Sequence, residues 1–121
     1  MLTFKSPVIH ENIWKIVLKT NKELNAIYNK DRKEKRNNDD IGGVIEYSTM
    51  TIYIDKNLDD SLFRKAFRKQ LMNLYLWETG QEGHLFTQED FCDLASVVAP
   101  LICKTADEIL LKIRNGGNKN E

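Results

Sequence analysis

The segment from Ser61 to Gly80 constrains this chain most. Phe63, Phe67, Leu71 and Leu74, with Leu62, Ala66 and Tyr75 beside them, recur at intervals of three and four. That period is helical, so the segment is an amphipathic helix with one apolar stripe. Asp59 or Asp60 can cap its start, and Gly80 ends it, placing the helix at about 59–79. A helix of this kind must cover an apolar surface, and the segments around it supply one. Ile13-Trp14-Lys15-Ile16-Val17-Leu18-Lys19 alternates β-branched or aromatic residues with lysines and reads as a strand, with Trp14, Ile16 and Leu18 on one face. Gly42 and Gly43 introduce Val44 to Ser48, and Thr51-Ile52-Tyr53-Ile54-Asp55 follows closely, which predicts a hairpin. The fold class expected is α+β, a small mainly antiparallel sheet of about three strands packed by the central helix.

Two further helices complete the pattern. Asn21 to Tyr28 places Leu24 and Ile27 on one side and predicts a short helix. From Thr87, a capping residue with Asp90 three positions on, a stripe runs through Phe91, Leu94, Val98, Leu101, Ile102, Ala106, Ile109, Leu110 and Ile113, so a long C-terminal helix is expected at about 87–114. Pro100 interrupts it and predicts a Pro-kinked helix, or two helices meeting near Ala99. Most of this stripe is core, and part of it is open to a homodimer contact.

At 121 residues the chain suits one domain, expected over 1–114, with an exposed loop at 30–41 and a disordered tail at 115–121. Basic and acidic residues number 18 each, which removes any overall field for nucleic acid or an acidic membrane. The stretch Lys30 to Asp40 holds five basic residues, but acids interrupt it and no aromatic is interleaved for base stacking, so it reads as a solvated loop. No apolar run reaches a membrane span, and the start lacks the apolar core of a secretion signal, so a cytoplasmic protein is expected. Cys92 and Cys103 fall on the same predicted helix about 16 Å apart, too far to bridge. They fit a reducing compartment as two free thiols, with zinc ligation by Cys92 as the sharper alternative.

From Thr51 to Ala95 the chain resembles the small stand-alone zincin-like proteins of the ImmA/IrrE metallo-endopeptidase kind. The resemblance rests on Ile52-Tyr53-Ile54-Asp55 before the central helix, on Leu76-Trp77-Glu78-Thr79-Gly80 at its end, and on the acidic run Gln88-Glu89-Asp90 opening the next helix. In that family the central helix carries His-Glu-x-x-His. Counting back from Gly80, these positions hold Lys69-Gln70-Leu71-Met72-Asn73, so both histidines and the glutamate are replaced. An ammonium has no lone pair for a metal, and a carboxamide is a poor substitute for imidazole. Nor can Gln70 take a proton from a bound water. The resemblance places the third metal ligand on Glu89, with Asp90 as the other register. The Lys69 ammonium is then expected to occupy the absent cation's place and pair with Glu89, or all four groups are partly solvated.

The resemblance implies a minimal zincin-like fold without catalysis: no cofactor, no metal, and a pseudo-peptidase that binds and modulates a protein partner. Relatives of this kind are carried by prophages and other mobile elements, so a repressor or a host-defence component is the implied partner. A second reading is an enzyme with a relocated metal site built from His84, Glu78, Glu89 and Cys92, His84 and Glu89 being its ligand candidates. His10, the other histidine, has less support. A third is nucleic-acid binding through Lys30 to Arg36.

Overall fold

The computed structural model describes residues 1–35 and 41–117. Along the chain lie β1 (Leu2–Lys5), β2 (Ile13–Lys19), α1 (Asn21–Asn29), β3 (Gly43–Glu46), β4 (Thr51–Asp55), α2 (Asp60–Glu78) and α3 (Gln88–Gly117). The α+β class is as expected, but the sheet has four strands and is mixed, in the order β1-β2-β4-β3. β1 and β2 pair antiparallel, as do β3 and β4, whereas β2 and β4 run parallel, with Ile16 beside Ile52. Two of the three pairings are antiparallel, as expected, but the fourth strand and the parallel pair were not, for two reasons. β1 is four residues long, too short to show a period. A parallel pair also needs a long connection, and here it is supplied by α1 and β3 between β2 and β4.

Local signals set the helix ends. Thr20 and Glu23 form a capping box at α1. Asp59 accepts from the Leu62 N–H at 2.8 Å and starts α2. Gly80, at a φ of 73°, lets the chain turn away at its end. Thr87 accepts from the Asp90 N–H at 3.1 Å and opens α3. α3 then continues through Pro100 as one helix rather than two. Pro100 and Ser96 are both exposed, so the carbonyl that loses its helical donor keeps water. Asn115 to Gly117 also belong to α3, not to the expected tail, and residues 118–121 lie outside the described ones. Of the expected loop, Lys30 to Lys35 are exposed, and 36–40 lie outside the described residues.

One core joins the layers. Trp14, Ile16, Ile52 and Ile54 from the sheet meet Phe63, Phe67, Leu71 and Leu74 from α2, and Val98, Ile102, Ala106, Ile109 and Leu110 from α3. Leu18 departs from expectation: at 38% exposed, it lies at the margin of this packing. Phe4 brings β1 into the core edge-on to Phe67, with ring centroids 5.8 Å apart. α2 and α3 are antiparallel, joined on their outer side by Arg64 and Arg68 to Asp107 and by Arg114 to Asp60.

A polar node fixes the β1–β2 hairpin to the end of α2. The Glu78 carboxylate accepts from the Ser6 hydroxyl, from Asn12 Nδ2 at 2.6 Å and from Trp14 Nε1 at 3.1 Å. Ser6 is fully buried and in turn accepts from the Val8 and Ile9 N–H groups, which shapes the hairpin loop. Trp77, one residue earlier, meets Trp14 edge-on and stacks on Tyr47 at 5.2 Å. Glu78→Ala strips acceptors from three donors, two of them on fully buried residues. It is expected to cost about 3 kcal/mol by urea unfolding, well above the roughly 1 kcal/mol expected for the cap variant Asp59→Ala.

Burial, and secondarily the charge of Glu82, raises the Tyr47 phenol above its ordinary range. The folded state thus keeps a proton that the unfolded chain loses near pH 10. Its stabilising contribution is whole below about pH 10 and is lost as pH rises through the folded-state value. Tyr47→Phe is therefore expected to flatten the fall in urea midpoint on the alkaline side.

Candidate functional site

The face of α2 that is not core divides into two flanks. At about 100° per residue, Phe63, Phe67, Leu71 and Leu74 define the buried centre. Arg64 and Arg68 fall on one side of it, and Ala66, Gln70 and Asn73 on the other. α3 takes the arginine flank, as the ion pairs to Asp107 show. The opposite flank stays open and forms one wall of a groove of about 800 Å³, whose other walls are β3 and Tyr28 of α1. Lys69, Gln70 and Asn73 all line this groove, so the structure gathers the three replaced positions at one surface.

β3 is an outer strand, and the parity of its hydrogen bonds fixes which of its backbone groups are open. The Asp55 N–H donates to the Gly42 carbonyl at 2.9 Å, and Val44 and Glu46 follow at the same parity opposite Tyr53 and Thr51. Gly43 and Ile45 therefore direct their N–H and C=O groups away from β4, toward the open edge. Gly43 is required by close approach. A Cβ there would stand 2.8 Å from Ile54 Cδ1, 3.1 Å from the Tyr53 carbonyl and 3.3 Å from Gln70 Cγ. β3 thus runs directly against α2 at Gln70.

The three replaced positions are polar without being a metal-ligand set, and Asp55 is the one carboxylate among the lining residues. Gln70 is 5% exposed, and its Oε1 accepts from Asn73 Nδ2 at 3.0 Å, so the two amides are tied to each other. Lys69 is exposed at the rim. The expected Lys69–Glu89 pair does not form, and the helix geometry explains why. Asp107 sits level with Arg64 and Arg68, so Glu89 on the first turn of α3 lies about 27 Å further along the axis than Asp107, on the arginine flank of α2 and away from Lys69. Glu89 and Asp90 are both exposed and outside the groove.

The residues present do not fit a catalytic zinc site, which takes about three imidazole, thiolate or carboxylate ligands. The groove positions offer an ammonium and two amides, and the acid expected as third ligand is remote. Among the described residues, no group of three or more His, Cys, Asp or Glu could hold a metal ion. The relocated set is dispersed as well. Glu78 is occupied by its three donors, His84 packs edge-on against Phe86 at 4.6 Å, and Cys92 is exposed. His10 lies beside β1, on a different groove. Sequence reasoning missed Glu78 as an anchor because its donors lie more than 60 residues away.

The basic stretch is partly engaged within the fold. Lys30 pairs with Glu46 at 3.9 Å, the Arg32 guanidinium lies 4.0 Å over the Tyr28 ring, and Lys35 donates to the Asn29 carbonyl. Among the described residues no helix is long and apolar enough to cross a membrane. Compared with protein-family models, curated proteins and solved structures, the chain finds no match in any of the three.

The geometry separates two substitutions. Gly43→Ala is expected to cost about 2 kcal/mol in urea unfolding, because the new methyl meets backbone and core atoms. Glu89→Gln is expected to move stability by no more than about 0.5 kcal/mol, since its side chain is exposed and has no ion pair among the described residues.

Proposed function

We propose that this protein is a catalytically inactive zincin-like domain that binds and modulates a protein partner through the groove between β3 and α2. The observation that carries this reading is the convergence of Lys69, Gln70 and Asn73 on one groove beside an open strand edge. Those are the three positions at which the resembled family places its metal ligands and base. Here they offer hydrogen bonds and one positive charge, while Gly43 and Ile45 direct backbone groups away from β4 that have no strand partner among the described residues. Such a surface recognises an extended segment of another protein by main-chain pairing, with side-chain selection from the helix wall. The family resemblance further suggests a prophage or mobile-element setting, and a repressor or host-defence component as the partner.

A relocated metallopeptidase site receives less support, because His84, Glu78, Glu89 and Cys92 do not converge. Nucleic-acid binding also ranks lower, since three cations of the basic stretch are engaged within the fold.

A photo-crosslinking residue at Asn73, compared with one at exposed Lys22 on α1, tests the groove in the native host cell. The expected outcome is a discrete protein adduct from position 73, absent from position 22 and reduced by Lys69→Glu. Adducts of equal yield from both positions would contradict the reading.

A further inference from the structure

The sheet has a second open edge, and a second groove follows it. β1 is the outer strand on the side away from β3. Its hydrogen-bond parity is fixed by two bonds. The Ser6 N–H donates to the Asn12 carbonyl at 2.9 Å, which turns Ser6, Phe4 and Leu2 toward β2. The Lys15 N–H donates to the Met50 carbonyl at 2.9 Å, so Lys15 points away from β1, and Thr3 opposite it turns outward, where no strand lies among the described residues. Thr3 and Lys5 therefore present their backbone N–H and C=O groups to the outside.

Beside this edge runs α3, and the space between them is a groove of about 610 Å³. On α3 its wall is a single face, from Leu101 through Lys104 and Glu108 to Lys112, roughly 16 Å long at 1.5 Å per residue. That length matches about five residues of extended chain. Leu101 and, from β2, Ile13 add exposed apolar surface, at 38% and 48%. Lys5, Lys104 and Lys112 all line the groove, and among the described residues none of them makes an ion pair. Glu108 is the one acid among the lining residues. In a chain whose charges balance overall, this groove is locally basic.

We propose that the β1 edge and α3 form a second docking site, for an extended acidic segment of a partner protein. The segment adds to the sheet beside β1, exchanging main-chain hydrogen bonds with Thr3 and Lys5. Its carboxylates meet Lys104 and Lys112, and apolar side chains rest on Leu101 and Ile13. The charge pattern selects an acidic strand over a basic one. This site is separate from the β3 groove and stands whether or not that groove binds a partner.

The test uses the intact chain and a fluorescein-labelled peptide of alternating glutamate and valine, about seven residues long, followed by fluorescence anisotropy at low salt. Saturable binding is expected, weakened at least about tenfold by Lys104→Glu with Lys112→Glu, which is roughly 1.4 kcal/mol. A peptide of the same charge, N-methylated at alternate residues, lacks the strand donors and should lose a similar factor, while a lysine–valine peptide should not bind. No saturable binding would overturn the proposal. Equal binding of the N-methylated peptide would reduce it to ion exchange and overturn strand addition. Loss of binding on Lys65→Glu with Lys69→Glu, but not on the α3 pair, would assign the peptide to the β3 groove and also overturn it. Circular dichroism of each variant, expected to be unchanged, keeps loss of fold from passing as loss of binding.

Discussion

The burial of Phe63, Phe67, Leu71 and Leu74 against the sheet sets almost everything else about this molecule. Once that stripe faces the core, helical geometry leaves no freedom in the remaining positions of α2. Arg64 and Arg68 must face one way and Ala66, Gln70 and Asn73 the other. α3 fills the first side, held by Asp107 and Asp60. The second side is left to β3, which comes close enough at Gly43 to exclude a Cβ. The groove is the space that this arrangement leaves open.

At the far end of α2 the Glu78 carboxylate performs a complementary task. Three donors from the β1–β2 hairpin converge on it, one from buried Ser6 and one from the buried Trp14 indole. A partly buried carboxylate is costly unless its acceptors are used, and here several are. The hairpin is thereby fixed on the helix, and β1 becomes a firm outer strand rather than a loose terminus. Both outer strands of the sheet, β3 beside α2 and β1 beside α3, are thus held by well-packed elements.

Where a period was long enough, the sequence was readable. α2, its Asp59 cap and its Gly80 exit follow from apolar spacing and local side-chain chemistry, and the β3–β4 hairpin follows from paired β-branched runs. β1 was not readable, because four residues before Pro7 carry no pattern. Nor was the parallel pairing of β2 with β4, which depends on a crossover and not on any residue within either strand. The replacement of the three motif positions at Lys69, Gln70 and Asn73 was legible from the count back from Gly80. Their partner was not. Assigning Glu89 to Lys69 required knowing which flank α3 would take, and that choice is made by Arg64, Arg68 and Asp107 acting across 39 to 43 residues. The role of Glu78 was hidden for the same reason: its donors are remote in sequence and adjacent only in the fold.

An ammonium and two mutually bonded amides leave no ligand set for a transition metal and no base for a bound water. The most direct measurement is the elemental composition of the protein purified without added metal or chelator, together with its melting temperature before and after chelation. The account predicts zinc, iron and nickel well below stoichiometric amounts and an unchanged melting temperature. A tightly held stoichiometric ion whose removal lowers the melting temperature would contradict it.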